Sequence, residues 1–105
     1  MLSLPGAFVM ASKRVAVDRH PICFMYREPV DRETDSGWRL LSGEEDQAYA
    51  DDPANIGVYD PRTIVAIDPT IAPLLSTPAP CGFERDSADE PFRPSDFDFA
   101  AEVDG

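Results

Sequence analysis

The chain has 105 residues, a length typical of one domain with a single hydrophobic core. Its 20 acidic residues outnumber its 9 basic ones, giving a formal net charge of -11. Nucleic acids and anionic membrane surfaces are bound by clustered Lys and Arg, so this balance argues against both as partners. The 11 prolines predict many turns, and the lack of an apolar run of about 18 residues argues against a membrane span.

Cysteine and histidine usage argues against a zinc site and against a disulfide framework, because the chain has 2 Cys and 1 His. Cys23 and Cys81 are predicted to be reduced, buried thiols, with a single disulfide between them as the alternative. Lys13 and Arg14 follow the apolar start of the chain, whereas a secretory signal would have its basic residues before the apolar run. We therefore expect a cytoplasmic protein without a metal or cofactor.

The first 30 residues predict strands, because apolar and β-branched residues are concentrated there. The expected strands are Phe8–Ser12, Val15–Val17 and Ile22–Arg27. Alternation in the third strand places apolar side chains on both faces, which is typical of a central strand. Pro29 ends this strand, and the polar residues 30–36 predict an exposed loop.

The middle of the chain predicts two strands on either side of a short helix. These elements are a strand at 37–41, a helix at about 43–50 and a strand at 56–59. Ser42, followed three residues later by Glu45, fits a capping box at the start of that helix. Gly57 indicates a bulge or a close approach within the second strand.

Two Asp-Pro pairs, at Asp60 and Asp68, each predict the start of a helix, because Asp caps well and Pro suits the first helical position. The expected helices cover 61–67 and 69–75, and a last strand is expected at 81–85. Five apolar residues at helical spacing should pack these helices on the sheet. They are Ile64, Ile67, Ile71, Leu74 and Leu75.

These elements predict an α+β fold for residues 1–85, with a mixed or antiparallel sheet of about four to six short strands packed against short helices. Residues 86–105 carry seven acidic side chains against one basic and lack an apolar period, so we expect an acidic, mobile tail. Its aromatic residues could instead dock onto the domain or a partner. They are Phe92, Phe97 and Phe99.

No pattern in the sequence predicts a catalytic site, so we expect a protein that is not an enzyme. His20 lies in a predicted turn without a nearby acid-base partner, and Cys23 lies within a predicted apolar strand that would keep it from reacting. The acid-rich residues 44–60 do not match the ligand spacing of a calcium-binding loop.

Five short motifs resemble the bacterial immunity protein 33 domain family, which was first catalogued as a domain of unknown function. The resemblance spans roughly Ala11 to Arg85, with the motifs in the expected order and spacing. They are Met25-Tyr26-Arg27-Glu28, Ser36-Gly37-Trp38-Arg39, Ser42-Gly43-Glu44-Glu45-Asp46, Asn55-Ile56-Gly57-Val58-Tyr59-Asp60 and Gly82-Phe83-Glu84-Arg85. The resemblance implies an antitoxin of a bacterial polymorphic-toxin system, which neutralises a cognate toxin by binding it.

Charge indicates where such a toxin would bind, because residues 31–60 carry nine acidic and two basic side chains. An acidic surface would attract a basic toxin and speed its association. The acidic candidates for the contact are Asp31, Glu33, Asp35, Glu44, Glu45, Asp46, Asp51 and Asp52. Trp38 or Tyr49 would anchor the interface, and core packing is the alternative role for Trp38.

Two other functions are compatible with the same residues. The chain could be a generic accessory domain that binds a different protein. It could also be a small ligand-binding domain or enzyme with a pocket between the sheet and the helices at 61–75.

Overall fold

The computed structural model describes residues 7–30 and 33–95. Within these ranges the strands are β1 (Phe8–Ser12), β2 (Phe24–Arg27), β3 (Asp35–Leu41), β4 (Ile56–Tyr59), β5 (Cys81–Glu84) and β6 (Arg93–Pro94). The helices are α1 (Lys13–Ala16), α2 (Gln47–Asp51), α3 (Pro61–Ile67) and the 3₁₀ helices Pro53–Asn55 and Pro69–Leu74. None of these helices has the length and apolar character that crossing a membrane requires.

The strands form one mixed sheet in the order β4-β1-β3-β2-β5-β6. β1 runs parallel to β3, whereas the β1–β4, β2–β3, β2–β5 and β5–β6 pairs are antiparallel. The predicted α+β class is confirmed, with the mixed sheet as the correct alternative. β2 lies between β3 and β5, so its prediction as a central strand is also confirmed.

The predicted strand at Val15–Val17 is wrong, because Val15 and Ala16 belong to helix α1 and Val17 is its C-cap. The Ser12 hydroxyl caps that helix by accepting a hydrogen bond from the Val15 N–H at 3.4 Å. Val15 is fully buried despite the short helix. A β-branched pair favoured a strand in the sequence, but the serine cap at the end of β1 turns the chain into a helix.

The predicted helix at 43–50 begins too early, because α2 starts at Gln47. Gly43 has φ +92°, a left-handed conformation that a helix cannot continue from. Asp46 accepts the Tyr49 N–H at 2.8 Å and is the N-cap of α2. The Ser42 and Glu45 side chains do contact each other, but they close a turn before the helix instead of capping it.

β3 contains an irregularity at Gly37 that only glycine can occupy. Its φ is +90°, and a Cβ there would lie 2.2 Å from the Glu28 carbonyl oxygen. The pairing with β1 shifts at the same place, from Phe8↔Asp35 to Met10↔Arg39. The irregularity redirects β3, so that Trp38 faces the helices and Arg39 faces the other side of the sheet.

The hydrophobic core lies between one face of the sheet and the helices α1, α3 and Pro69–Leu74. The predicted helices at 61–67 and 69–75 are close to the observed bounds, although the second is a 3₁₀ helix. All five of their apolar residues pack in or against the core. The buried residues of the core are Val9, Ala11, Val15, Ile22, Met25, Trp38, Leu40, Ile64, Ile71 and Leu75.

Both cysteines are free, so the prediction of thiols is confirmed, but each is half-buried instead of fully buried. Cys81 lies opposite Arg27 in the β2–β5 pairing. Partial burial raises the pKa of its thiol, and the positive charge of Arg27 offsets part of that effect.

A buried ion pair between Arg85 and Asp68 connects elements that are distant in sequence. The guanidinium donates to Asp68 Oδ2 at 2.9 Å and to the Ile22 carbonyl at 2.9 Å. The same Asp68 oxygen accepts the Ile22 N–H at 3.1 Å. The exposed fractions of the two side chains are 2% and 9%, so little water is available to either charge. The pair therefore fixes the start of β2, the end of β5 and the junction between the two helices that follow β4.

Packing continues beyond residue 85, which sequence analysis took as the end of the domain. The Arg85 guanidinium lies 4.1 Å from the Phe92 ring centroid, and Phe92 is partly buried against the core. Arg93 and Pro94 then pair with Glu84 and Phe83 as strand β6. Residues 86–95 thus contact the domain, whereas the rest of the predicted tail, with Phe97 and Phe99, lies outside the described residues.

Replacing Arg85 by Met should lower the free energy of unfolding by about 3–5 kcal/mol, because the buried Asp68 charge would lose its partner. Chemical denaturation at neutral pH, followed by tryptophan fluorescence, measures this change.

The matched control is Arg62→Met, which breaks the exposed ion pair between Arg62 and Asp60. We expect no measurable change in stability from this variant. Equal losses in the two variants would show that burial does not govern the contribution of the Arg85 pair.

Candidate functional site

The acidic candidates from the sequence lie at opposite ends of β3. Asp35 begins the strand, whereas Glu44 and the acids that follow it come after its last residue, Leu41. A strand rises about 3.3 Å per residue, so the two groups are separated by roughly 20 Å. They therefore do not form a single contiguous surface. Asp31 lies outside the described residues.

At the start of β3, Asp35 is bound within the domain. Arg39 donates to both of its carboxylate oxygens at 3.0 Å and to Glu28 at 2.8 Å. Burial alone would lower the pKa of Arg39, but hydrogen bonds to Asp35 and Glu28 outweigh it and raise the pKa. Asp35 also accepts the Gly37 N–H at 2.8 Å, so its charge stabilises the β3 irregularity. Glu33, two residues before Asp35, is exposed.

Trp38 is fully buried, so the core role is the one that the structure shows. Its indole N–H donates to the Leu75 carbonyl at 3.0 Å, joining β3 to the end of the 3₁₀ helix. No part of the ring reaches the surface, and Trp38 offers nothing for a partner to contact in this conformation.

Glu45 also points inward and organises the turn between β3 and α2. Its carboxylate accepts hydrogen bonds from the Ser12 and Ser42 hydroxyls and from the N–H groups of Ser42 and Gly43. Burial alone would raise the pKa of Glu45, but these donors outweigh it and lower the pKa. Glu45 therefore ties β1 to this turn and is not part of an acidic surface.

The other acidic candidates that follow β3 are exposed, and we call these four residues the acidic segment: Glu44, Asp46, Asp51 and Asp52. Asp46 and Asp52 cap α2 and the 3₁₀ helix at Pro53–Asn55, accepting the N–H groups of Tyr49 and Ala54. Both capping carboxylates lie at the surface, so these two residues stabilise helices and also contribute to the surface potential.

Arg14 and His20 lie beside the acidic segment, and sequence reasoning missed this proximity. Arg14 of α1 lies 3.7 Å from Glu44, and His20 lies 3.8 Å from the same carboxylate. The Arg14 guanidinium also lies 4.9 Å from the ring centroid of Tyr49. Tyr49 is half-buried, so it keeps some exposed surface next to the segment. The contact between α1 and α2 joins residues that are far apart in the sequence, and no local sequence pattern predicts it.

A cavity of about 460 Å³ opens next to Glu44. Its polar lining includes His20, Cys23, Ser42 and Arg85. It lies at the ends of β2, β3 and β5, not between the sheet and the helices at 61–75, where the alternative ligand-binding function would place a pocket. Arg85 is engaged by Asp68 and by the Ile22 carbonyl, so it stabilises this wall of the cavity.

The structure also bears on metal binding. Within residues 7–30 and 33–95, no three His, Cys, Asp or Glu side chains are grouped so that they could hold a metal ion.

Replacing Glu45 by Gln should lower the free energy of unfolding by about 1–3 kcal/mol at pH 7, because donors that face the carboxylate lose an ionised acceptor. The folded state lowers the pKa of Glu45 below its ordinary value of 4.5. Its contribution is therefore complete above that value and disappears as the pH falls through the lowered pKa. Denaturation of both proteins between pH 7 and pH 3 should show their difference shrinking in acid.

The matched control is Glu44→Gln, at a neighbouring carboxylate that is 63% exposed. We expect its stability to stay within about 0.5 kcal/mol of the native chain. A difference between native and Glu45→Gln proteins that grows in acid would contradict the assigned role of Glu45.

Most of the chain matches a known protein family. The family model of the immunity protein Imm33 domain matches residues 9–95, which include strands β2 to β6 and all of β1 except Phe8. Comparisons with curated proteins and with solved structures gave no match. Because the matched range covers most of the 105 residues, the chain belongs to the Imm33 immunity protein domain family.

Proposed function

We propose that this protein neutralises a cognate bacterial toxin by stoichiometric binding, without catalysing a reaction. Membership of the immunity protein family carries the proposal, since the match spans residues 9–95. Binding of this kind requires a stable domain and a complementary surface. It requires no nucleophile, metal or cofactor.

The acidic segment is the surface that we assign to this contact. Its four carboxylates are exposed, and two of them are fixed in place as helix caps. Fixed charges cost less conformational entropy on binding than mobile ones. Tyr49 lies within the segment and supplies a half-exposed aromatic ring. Of the original candidates, Asp35, Trp38 and Glu45 are left out of the surface because they stabilise the fold.

The partner that fits this surface is a basic protein. The net charge of -11 attracts a positively charged partner over a distance of about 10 Å at ordinary ionic strength. Such steering raises association rates by roughly 10 to 1,000-fold at low salt. The proposed complex forms in the cytoplasm of the cell that makes the toxin, as part of a polymorphic-toxin system.

The test begins with a search for a toxin gene next to the gene that encodes this chain. Coexpression should restore growth of cells that produce the toxin, and the purified proteins should form a one-to-one complex. Growth that is not restored, with no complex at low or high salt, would refute the proposed function. A metabolite that copurifies with the domain instead would favour the ligand-binding alternative and the cavity beside Glu44.

Removing charge from the acidic segment should slow association with the toxin. The triple variant Glu44→Gln, Asp46→Asn and Asp52→Asn keeps both helix caps, since Asn caps as well as Asp. We expect a roughly tenfold lower association rate at low salt and a weaker dependence on salt, with little change in dissociation. Surface plasmon resonance at two or more ionic strengths measures all three quantities.

The control variant removes the same number of charges from exposed acids outside the segment: Glu33→Gln, Asp89→Asn and Glu90→Gln. It should alter the association rate much less. Equal effects from the two triple variants would assign the steering to total charge and would remove the acidic segment as the binding surface.

A further inference from the structure

The two outer strands of the sheet differ in how they are protected. β6 has only two residues, one charged and one proline, and both are exposed. Charge, proline and shortness are the features that keep a sheet edge from pairing with another chain. β4 is the strand at the other edge, and its sequence Ile-Gly-Val-Tyr contains neither charge nor proline.

β4 is regular as well as uncharged. Its four residues pair with β1 in continuous antiparallel register, from Val9↔Tyr59 to Ser12↔Ile56. In such a ladder alternate residues direct their N–H and C=O groups toward the partner strand, and the others direct theirs outward. Among the described residues no strand lies on the outer side of β4. Its outward groups therefore provide a template for one more strand.

The side chains at this edge are also suited to an apolar partner. Ile56 and Val58 point to the sheet face opposite the core helices, and Val58 is 59% exposed. Ile56 borders a mainly apolar cavity of about 210 Å³ that also includes Met10 and Leu41. On the other face, Tyr59 is partly buried and lies across Gly57, where an added Cβ would be 2.6 Å from its hydroxyl. An added strand would thus find its apolar contacts on the Ile56 side.

Charge distinguishes between possible occupants of the edge. Two copies of the chain, each with a net charge of -11, would repel one another at close range. The exposed Asp52 precedes β4, and the exposed Asp60 follows it. The segment that fits is therefore extended and apolar, with Lys or Arg near its ends.

From these observations we propose that β4 binds an extended segment of the basic partner protein by strand addition, with alternate apolar side chains packing beside Ile56 and Val58. The proposal rests on the proposed function, because it takes the basic partner from there. It adds the structural mode of recognition: backbone pairing at β4 supplies the contact, and the flanking carboxylates select the charge of the segment.

The test uses a synthetic seven-residue peptide of alternating Val and Thr with Lys at both ends, and the same peptide with Glu at both ends. Backbone amide exchange and chemical shifts report on residues 56–59. The Lys peptide should perturb these amides and protect those that point outward, whereas the Glu peptide should bind at least tenfold more weakly. No protection at 56–59, or equal protection by both peptides, would overturn the proposal.

Val58→Lys provides the second test, since a lysine is a common protection of natural edge strands. It should weaken binding of the Lys peptide and of the toxin at least tenfold. The matched control is Val30→Lys, which adds the same charge at an exposed valine in the loop after β2. Circular dichroism checks that both variants fold.

Toxin binding that survives Val58→Lys unchanged would refute strand addition while the proposed function stood. Amide protection at 56–59 that depends on protein concentration, without peptide, would identify a second copy as the occupant and would also overturn the proposal. A chain that binds the Lys peptide at β4 but fails to neutralise the toxin would support strand addition at β4 and would refute the proposed function.

Discussion

The buried pair between Arg85 and Asp68 is the constraint on which the rest of the domain depends. A guanidinium that is 2% exposed must find partners for its donors within the protein, since water cannot serve them. It finds them in Asp68, in the Ile22 carbonyl and in the carbonyls of Ala88 and Glu90. These contacts hold the entry to β2 and the chain after β5 in a single arrangement. They also form one wall of the cavity beside Glu44.

The acidic residues divide into those that stabilise the fold and those that face the solvent. Asp35, Glu45 and Asp68 are each surrounded by donors: Asp35 fixes the irregularity in β3, Glu45 fixes the turn after it, and Asp68 fixes the entry to β2. Asp46 and Asp52 serve both purposes, because an exposed capping carboxylate stabilises its helix and also adds negative potential at the surface. A net charge of -11 therefore overstates the charge available to a partner, but it leaves an exposed acidic segment beside Tyr49.

The proposed strand addition at β4 must operate without pairing between two copies of the chain. Repulsion between copies limits self-association through the unprotected β4 edge, because every approach of two identical chains brings like charges together. A basic partner experiences the opposite force. In the proposed complex, the acidic residues and the edge strand would have complementary effects on specificity, with charge acting at long range and backbone pairing acting at contact.

The sequence by itself determined the features that depend on neighbouring residues. Asp60 and Asp68 before proline marked two helices, apolar and β-branched residues marked β1 and β2, and Ile64, Ile71 and Leu75 were assigned to the core by their spacing. Tertiary structure decided the features that depend on contacts across the sheet. The order of the strands, the burial of Trp38, the inward turn of Glu45 and the meeting of Arg14 with Tyr49 all join residues more than 20 positions apart, or depend on such contacts. An acid in a sequence has the same charge whether it caps a helix, pairs with Arg39 or faces a partner, so only the folded arrangement of donors could separate these roles.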